Sequence, residues 1–207
     1  MEVVFDLDGV LLDSERRLDW LDRALSDALQ AFDIPATADN RARIGPGGLA
    51  SFERTAREFS VDPETFWTLR NRRYTEEKLG AMASGDIGPF PDVPQLARLD
   101  GTHSTSIISN SPQPVVDAFL AEVQAKVPFR TGVGRGSALA DLAHLKPDPK
   151  MGDQLRQTAD VERFLYVGDR ETDRAFAANA GMDYCHLVRP DGDPGDLETL
   201  VDRLLAR

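Results

Sequence analysis

From residue 88 onward, short apolar runs of strand type alternate with stretches of helical periodicity. Strands are expected at 106–108, 128–133, 163–167 and 183–188, and helices at 112–123, 147–158, 171–180 and 196–205. Strands that alternate with helices of this length are typical of a parallel sheet with helices on both faces. The sequence therefore predicts an α/β fold built on a Rossmann-like parallel sheet.

The chain also opens on a short apolar strand, residues 3–5, which is followed by Asp6, Asp8 and Gly9. In extended backbone, residues two apart point to the same side, so both carboxylates are expected to face one site. Gly9 permits a sharp turn that leaves them at the carboxyl end of the strand, where open parallel sheets bind ligands. With a divalent cation to relieve their repulsion, Asp6 could attack phosphorus while Asp8 exchanges a proton with the leaving oxygen.

Residues 14–85 show helical spacing only. Helices are expected at about 14–32, 49–59 and 64–82, and the first has a candidate N-cap in Asp13-Ser14-Glu15. Prolines at 89, 91 and 94 then mark a junction. We therefore predict a core domain of residues 1–13 and 86–207 and an all-helical cap domain of residues 14–85, inserted after the first strand.

Composition limits the classes of partner. The net charge of −11 disfavours binding to nucleic acid or to an anionic membrane. No apolar run approaches the roughly 20 residues that span a bilayer, and acidic residues near the start argue against a secretory signal. A single cysteine, Cys185, excludes an intrachain disulfide. We expect a cytoplasmic protein with no membrane and no nucleic-acid partner; its oligomeric state is left open.

Three later segments are expected to meet the first two aspartates at the same edge of the sheet. Ser109-Asn110-Ser111 follows a strand and precedes a helix, which suits phosphate binding but also ordinary helix capping. Lys146, in a chain with only four lysines, precedes a proline-initiated helix and could reach inward to a phosphoryl group. The alternative for this lysine is a solvated surface position.

The third segment follows the strand at 163–167 and contains Asp169 and Asp173. A carboxylate at a strand tip is a hard oxygen ligand that suits Mg²⁺. Asp173, one helical turn further on, could orient a metal-bound water or Lys146. Acidic residues are also common in the first turn of a helix for reasons of stability alone.

Together, the four segments resemble the four motifs of the haloacid dehalogenase superfamily. They read Asp-x-Asp-Gly, Ser-Asn-Ser, Lys-Pro-Asp-Pro and Gly-Asp-x-x-x-Asp, and they extend from Asp6 to Asp173. The helical insert lies where that family carries its cap, between the first and second motifs. The resemblance implies the core of that superfamily and a Mg²⁺-dependent enzyme acting on a small phosphorylated metabolite.

The resemblance also implies roles for single residues. Asp6 would be the nucleophile that forms an aspartyl phosphate, and Asp8 the general acid and base. The residues expected to bind the phosphoryl group are Gly9, Ser109, Asn110 and Lys146. The metal would be bound by Asp6, Asp169 and the main-chain carbonyl of Asp8, with Asp173 mainly supporting these ligands from behind.

Asp8 helps to decide between the dehalogenase and phosphatase branches of the superfamily. Dehalogenases of the superfamily lack this second aspartate, so its presence favours a phosphohydrolase, of which a phosphoglycolate phosphatase-like enzyme is one candidate. A phosphomutase similar to beta-phosphoglucomutase, or a non-catalytic regulatory binding module, stays open. In the cap, the loop 43–48 is the expected specificity loop: Arg43 could meet a substrate carboxylate, and Gly47 belongs to the same loop.

Overall fold

The computed structural model describes residues 1–45, 47–189 and 195–206. A five-stranded sheet forms its centre, in the order β3-β2-β1-β4-β5, with every neighbouring pair parallel. The strands are β1 (Glu2–Phe5), β2 (Ser104–Pro112), β3 (Thr131–Arg135), β4 (Phe164–Gly168) and β5 (Asp183–His186). The predicted parallel α/β sheet is confirmed.

The first strand lies in the middle of this sheet. Phe5 is in register with Ile107 of β2 on one side and with Val167 of β4 on the other. The amide of Asp6 donates to the carbonyl of Val167 at 2.9 Å, so the ladder continues one residue beyond the strand. Asp6 therefore emerges between the carboxyl ends of the two strands that lead to Ser109 and Asp169.

Eight α-helices occur in the described residues. They are α1 (Asp19–Gln30), α2 (Ala38–Arg43), α3 (Leu49–Glu58), α4 (Pro63–Ser84), α5 (Gln113–Val123), α6 (Lys150–Thr158), α7 (Glu171–Asn179) and α8 (Leu197–Leu205). Two 3₁₀ helices, Val93–Leu99 and Leu139–His144, complete the set. The sequence pattern did not predict the short α2. No helix in the described ranges has the length and apolarity that a bilayer-crossing segment requires.

Helices cover both faces of the sheet. Successive side chains of β1 point in opposite directions, as strand geometry requires. Phe5 packs in one buried cluster with Phe119 of α5 and Leu200 of α8. Val4 packs in another cluster with Phe176 of α7. This arrangement confirms the expected two-sided core and explains why the three residues of β1 after Glu2 are all apolar.

Between residues 14 and 85, the described chain contains helices α1–α4 and no strand. Their apolar faces form a separate buried cluster that includes Leu29, Phe52 and Phe66. Leu139 and Leu142, from the second 3₁₀ helix, complete that cluster. The helical insert thus packs on a segment that follows β3. The exact division at residues 13 and 86 stays a prediction.

The predicted N-cap of the first helix is wrong. α1 begins at Asp19, and its N-cap residue, Leu18, makes no side-chain cap hydrogen bond. The chain instead continues along the core through residue 13, because Leu12 pairs with Pro89 and the amide of Asp13 donates to Gly88 at 2.9 Å. Ser14 is consequently buried beside the cavity described below rather than exposed at a helix end.

The second motif differs from the prediction only in that the strand extends through it instead of ending at Ile108. Ser109, Asn110 and Ser111 lie within the last part of β2, which runs to Pro112 and shifts register against β3 after Ile108. Helix α5 begins at Gln113 with Pro112 as its N-cap, so the three residues precede the helix as the sequence predicted. Their positions at the carboxyl end of the strand nevertheless agree with the sequence-based expectation.

Candidate active site

A cavity of about 370 Å³ lies at the carboxyl edge of the sheet, between the sheet and the helical insert. Its wall includes Asp6, Asp8, Ser109, Asn110 and Lys146. These side chains come from three separate stretches of the chain. The fold therefore brings the predicted catalytic and phosphate-binding side chains together, as parallel strand ends do in open α/β sheets.

Asp6 lies buried in the wall of this cavity. Its Oδ1 is 2.8 Å from Lys146 Nζ and accepts a hydrogen bond from the amide of Leu7 at 2.7 Å. Burial raises the pKa of Asp6 to about 7, an effect that the charge of Lys146 opposes and that of Asp173 reinforces. Because this environment disfavours the ionised form of Asp6, any additional positive charge beside the carboxylate would stabilise it.

Lys146 is held in place by contacts of both its side-chain ammonium and its main-chain N–H. Besides Asp6, its Nζ contacts Asp173 Oδ1 at 2.6 Å and the Tyr166 hydroxyl at 2.9 Å. Its main-chain N–H donates to Asn110 Oδ1 at 2.8 Å. Burial works against the charged ammonium, but Asp6 and Asp173 outweigh it and raise the pKa of Lys146. The side chain is thus a fixed positive charge beside the candidate nucleophile.

Asp8 faces a different cation. Its Oδ1 accepts from Lys78 Nζ at 2.5 Å, and its Oδ2 accepts from the Ser111 hydroxyl at 2.6 Å. Lys78 Nζ also donates to Ser111 Oγ at 2.8 Å, which closes a three-residue network. Burial alone would raise the pKa of Asp8, but Lys78 and the hydrogen bonds lower it overall. Asp8 is therefore oriented by a residue of helix α4.

Asp169 and Asp173 complete an acidic group around Asp6. One oxygen from each of the three carboxylates lies within 4.8 Å of the others. Among the described residues, Asp169 Oδ1 is buried without a hydrogen-bond partner, and burial raises the pKa of Asp169 to about 6, with the charge of Asp173 as the next cause. An unsatisfied carboxylate oxygen beside two more carboxylates suits a hard divalent cation such as Mg²⁺.

Gly9 is required where the chain turns after β1. Its φ is +80°, and a Cβ on this residue would lie 2.4 Å from Asp169 Oδ2. A side chain would therefore both strain the backbone and enter the acidic group. The absence of a side chain lets the main chain of Gly9 lie close to Asp169, and its role in binding the phosphoryl group stays a prediction.

The other predicted residues of the site have structural partners. Ser109 is buried, and its Oγ accepts from the amide of Ser111 at 3.0 Å. Asp173 Oδ2 accepts from the amides of Asp169 and Arg170 at 3.2 and 3.1 Å. Asp173 thus fixes the turn that carries Asp169 and also contacts Lys146, one of the two functions considered for it from sequence.

Comparison with known protein families gives one decisive match. The family model described as haloacid dehalogenase-like hydrolase matches residues 3–181. The chain belongs to this family. The matched region contains all four motif segments, from Asp6 to Asp173, together with the helical insert.

Individual relatives of this haloacid dehalogenase-like hydrolase are distant. A phosphoglycolate phosphatase of Rhodobacter capsulatus is 26% identical over 190 residues, covering 88% of this chain and 81% of the relative. The crystal structure of CbbY from Rhodobacter sphaeroides in complex with phosphate has a TM-score of 0.67 at 21% identity, covering 92% and 86% of the two chains. A hydrolase from Pseudomonas syringae has a TM-score of 0.68 at 18% identity, covering 99% and 98%.

The structure corrects the expectation for the specificity loop of this haloacid dehalogenase-like hydrolase. Gly47 lines the cavity, and Pro46 lies outside the described residues. Arg43 does not line the cavity: its guanidinium pairs with Glu58 and stacks on the Phe59 ring at 4.6 Å. The reason is that Arg43 ends α2 with its side chain directed toward the end of α3, where Glu58 and Phe59 contact the guanidinium.

Sequence reasoning missed the residues that α4 contributes to the site. The side chains of Trp67, Arg70, Tyr74 and Lys78 all line the cavity. Their spacing of three or four residues places them on one face of a helix, and that periodicity was visible in the sequence. Lys78 is also one of only four lysines, the same signal that drew attention to Lys146.

Two further residues near the site had weaker signals in the sequence. Tyr166 lies in β4, where its ring packs on Phe176 and its hydroxyl donates to the Ile108 carbonyl at 3.0 Å. In the sequence it reads as one apolar residue of a strand. Arg135 ends β3 and also lines the cavity, but nothing in its Gly-rich surroundings distinguishes it from other arginines of the chain.

Proposed function

We propose that this haloacid dehalogenase-like hydrolase is a Mg²⁺-dependent phosphatase that cleaves small phosphate monoesters through an aspartyl phosphate on Asp6. The observation that carries the proposal is the position of Asp6, which lies in the cavity wall, 2.8 Å from the Lys146 ammonium and beside the unpartnered oxygen of Asp169. The similarity to a phosphoglycolate phosphatase makes phosphoglycolate a candidate substrate.

In the first step, a carboxylate oxygen of Asp6 attacks phosphorus, and the bond from phosphorus to the leaving oxygen breaks. Asp8 is ionised in the free protein, but the negative charge of a bound phosphate ester would favour its protonated form, and Asp8 would then give that proton to the leaving oxygen, so that a neutral alcohol departs. In the second step, water attacks the phosphorus of the aspartyl phosphate and gives a proton to Asp8, and the bond from phosphorus to the Asp6 oxygen breaks. Inorganic phosphate is released, and both carboxyl groups return to their starting states.

Several side chains would position the phosphoryl group during these steps. Lys146 would supply a fixed positive charge, and Ser109, Asn110 and the main chain of Gly9 would form hydrogen bonds to the phosphoryl oxygens; the presence of Ser109, Asn110 and Lys146 in the cavity wall supports this assignment. Ser111 and Lys78 would hold Asp8 in a single orientation. Most of the rate enhancement would come from positioning and charge.

The residues present fit a magnesium ion. Asp6, Asp169 and the main-chain carbonyl of Asp8 would bind it, and Asp173 would support Asp169 through the hydrogen bonds described above. When bound, Mg²⁺ would offset the charge of the carboxylates and of the incoming phosphate.

The experiment is release of inorganic phosphate from an aryl phosphate, with and without Mg²⁺. We expect Asp6→Asn to lower turnover by at least about 1,000-fold, because amide nitrogen and oxygen are poor nucleophiles. Asp27→Asn, an exposed position on α1, is the matched control and should retain wild-type turnover. Turnover that survives Asp6→Asn or chelation by EDTA contradicts the mechanism.

A panel of phosphorylated metabolites then identifies the substrate. It should include phosphoglycolate, sugar phosphates and nucleotides, each compared by kcat/KM. Hydrolysis of phosphoglycolate with the highest kcat/KM would support the similarity to that phosphatase. A bisphosphate intermediate that accumulates during turnover would instead indicate phosphoryl transfer between two substrate oxygens, as in a phosphomutase.

A further inference from the structure

Four basic side chains are buried among the described residues, and they fall into two contrasting pairs. Lys78 and Lys146 each contact a site carboxylate, at 2.5 and 2.8 Å. Arg70 and Arg135, which are 5% and 6% exposed, form no ion pair with a carboxylate in the described part of the chain. A buried charge without a counter-charge is costly, so this pair indicates a position that a ligand is to neutralise.

The two guanidinium groups lie against the same aromatic rings. Arg70 is 4.9 Å from the ring centroid of Tyr74 and 5.4 Å from that of Trp67. For Arg135, the corresponding distances are 5.9 and 5.0 Å. The rings stabilise the cations without neutralising them. They also give this part of the cavity rigid, apolar walls.

Only one hydrogen bond to the described residues fixes each guanidinium. Arg70 Nε donates to the Ile44 carbonyl at 3.1 Å, and Arg135 donates to the Gly136 carbonyl at 3.2 Å. A guanidinium has five N–H donors, so most of the donors remain available to a ligand. A planar fork of this kind matches the two oxygens of a carboxylate or a phosphate.

Both groups stay charged at neutral pH in spite of their burial. Burial lowers the pKa of Arg70 to about 10. Burial and, next, the charge of Arg70 lower the pKa of Arg135 to about 10, while Tyr74 and Asp141 act in the opposite direction. Two like charges are therefore kept close together, an arrangement that an anion between them would stabilise.

The pair lines the same cavity as Asp6. Arg70 comes from α4 of the helical insert, whereas Arg135 ends β3 of the sheet. We infer that Arg70 and Arg135 form a subsite for a second anionic group, a carboxylate or a phosphate, on the molecule whose phosphate ester is cleaved at Asp6. This subsite rests on the proposed function. It replaces Arg43 as the arginine that recognises a substrate anion.

The test compares esters that differ in the second anion alone. Phosphoglycolate is paired with ethyl phosphate, and propanediol bisphosphate with propyl phosphate, so that the two pairs distinguish a carboxylate from a phosphate. The variants are Arg70→Gln, Arg135→Gln and the double substitution. Arg72→Gln is the matched control, because Arg72 lies on the same helix but is exposed and faces Glu76.

In the wild type, kcat/KM for at least one ester that carries a second anionic group should exceed that of its partner without this group by about 100-fold, and each single Arg→Gln change should lower that preference by roughly 10-fold or more. Hydrolysis of an aryl phosphate should change less than about 3-fold in the same variants. Arg72→Gln should preserve the preference. Equal preference in the wild type and the double variant overturns the subsite while leaving the phosphatase proposal intact.

A binding measurement keeps the two proposals separable. In the Asp6→Asn background, calorimetric titration with phosphoglycolate and with propanediol bisphosphate measures affinity without turnover. Adding the double Arg→Gln change should weaken binding of the preferred compound by roughly 100-fold. Unchanged affinity overturns the subsite. If the double variant fails to fold, the same titration with Arg135→Lys, which keeps the charge but loses the fork, should show a loss of about 10-fold.

Discussion

Two buried lysines each neutralise one carboxylate of this site. The chain has only four lysines, and two of them, Lys78 and Lys146, are buried against carboxylates of the cavity. A compact ammonium on a flexible stem can reach a buried acid from a neighbouring element and place one charge there. Lys146 does so for Asp6 from the segment between the second 3₁₀ helix and α6, and Lys78 does so for Asp8 from the helical insert.

Removing the amine of Lys78 should affect both stability and turnover. Lys78→Met removes the cation beside Asp8 and leaves its carboxylate with the hydroxyls of Ser111 and Ser14, so we expect a loss of about 1–3 kcal/mol in unfolding free energy. Turnover should fall at least roughly 10-fold, because Asp8 loses its fixed orientation. Denaturant unfolding and aryl phosphate hydrolysis measure the two effects. Lys126→Met, at an exposed lysine, should change neither.

The turn after β1 depends equally on one residue. Gly9→Ala should destabilise the protein by about 1–2 kcal/mol through its positive φ, and its Cβ should displace the Asp169 carboxylate and reduce turnover strongly. Gly80→Ala is the matched control: it lies within α4 with no atom near its Cβ, so it should stabilise by about 0.5–1 kcal/mol. Wild-type turnover in Gly9→Ala would contradict the close approach to Asp169.

At the scale of elements, α4 joins the insert to the active site. It is the longest helix described, with 22 residues, and its N-cap Asp62 accepts from the amide of Thr65 at 2.9 Å. It ends at Gly85, whose φ of +77° is a left-handed helix cap. The length of the helix lets one face carry both Arg70 and Lys78 over the strand ends, so the proposed anion subsite and the contact to Asp8 belong to the same element.

The 3₁₀ helix after β3 anchors the insert from the other side. Leu139→Ala should cost about 2–4 kcal/mol, because Leu139 is buried in the apolar cluster of the insert and its removal leaves a cavity there. Thermal or denaturant unfolding measures the loss. Leu205→Ala, at a leucine that is 41% exposed, should cost much less. Equal effects of the two substitutions would show that the contact does not stabilise the folded chain.

At the scale of the whole molecule, the sheet order decides where the acidic group forms. Because β1 lies between β2 and β4, the residues that follow these three strands meet at one edge. Asp6 and Asp169 come from adjacent strands, although 163 positions separate them in sequence. The folded chain therefore holds several carboxylates closer together than their charges favour.

A divalent cation should relieve this repulsion and stabilise the fold. At a Mg²⁺ concentration about 100 times its dissociation constant, we expect the melting temperature to rise by ~5–10 °C. Asp169→Asn should abolish most of that rise, whereas Asp27→Asn should retain it. Differential scanning calorimetry with and without Mg²⁺ makes the comparison independently of turnover. A melting temperature that does not respond to Mg²⁺ in the wild type would refute the metal site.

Local patterns in the sequence were informative where a single element explains them. The sequence itself indicated the apolar runs of strands β1 to β4, the periodicity of α3 and α4, and the motif residues at the strand ends. The first-helix cap could not, because Asp13 and Ser14 follow the core through pairing with residues 88 and 89. A favourable capping sequence gives way when tertiary hydrogen bonds hold the same backbone.

The sequence by itself determined the alternating α/β pattern, the helical insert and the acids and lysine of the four motifs, because periodicity and strand-end chemistry are local properties. Only the tertiary structure decided which cations face those acids and which arginines line the cavity. Lys78 meets Asp8 across 70 positions, and Arg70 and Arg135 share two aromatic rings from separate parts of the fold. Contacts of this kind depend on how helices pack over the sheet, which no local pattern encodes.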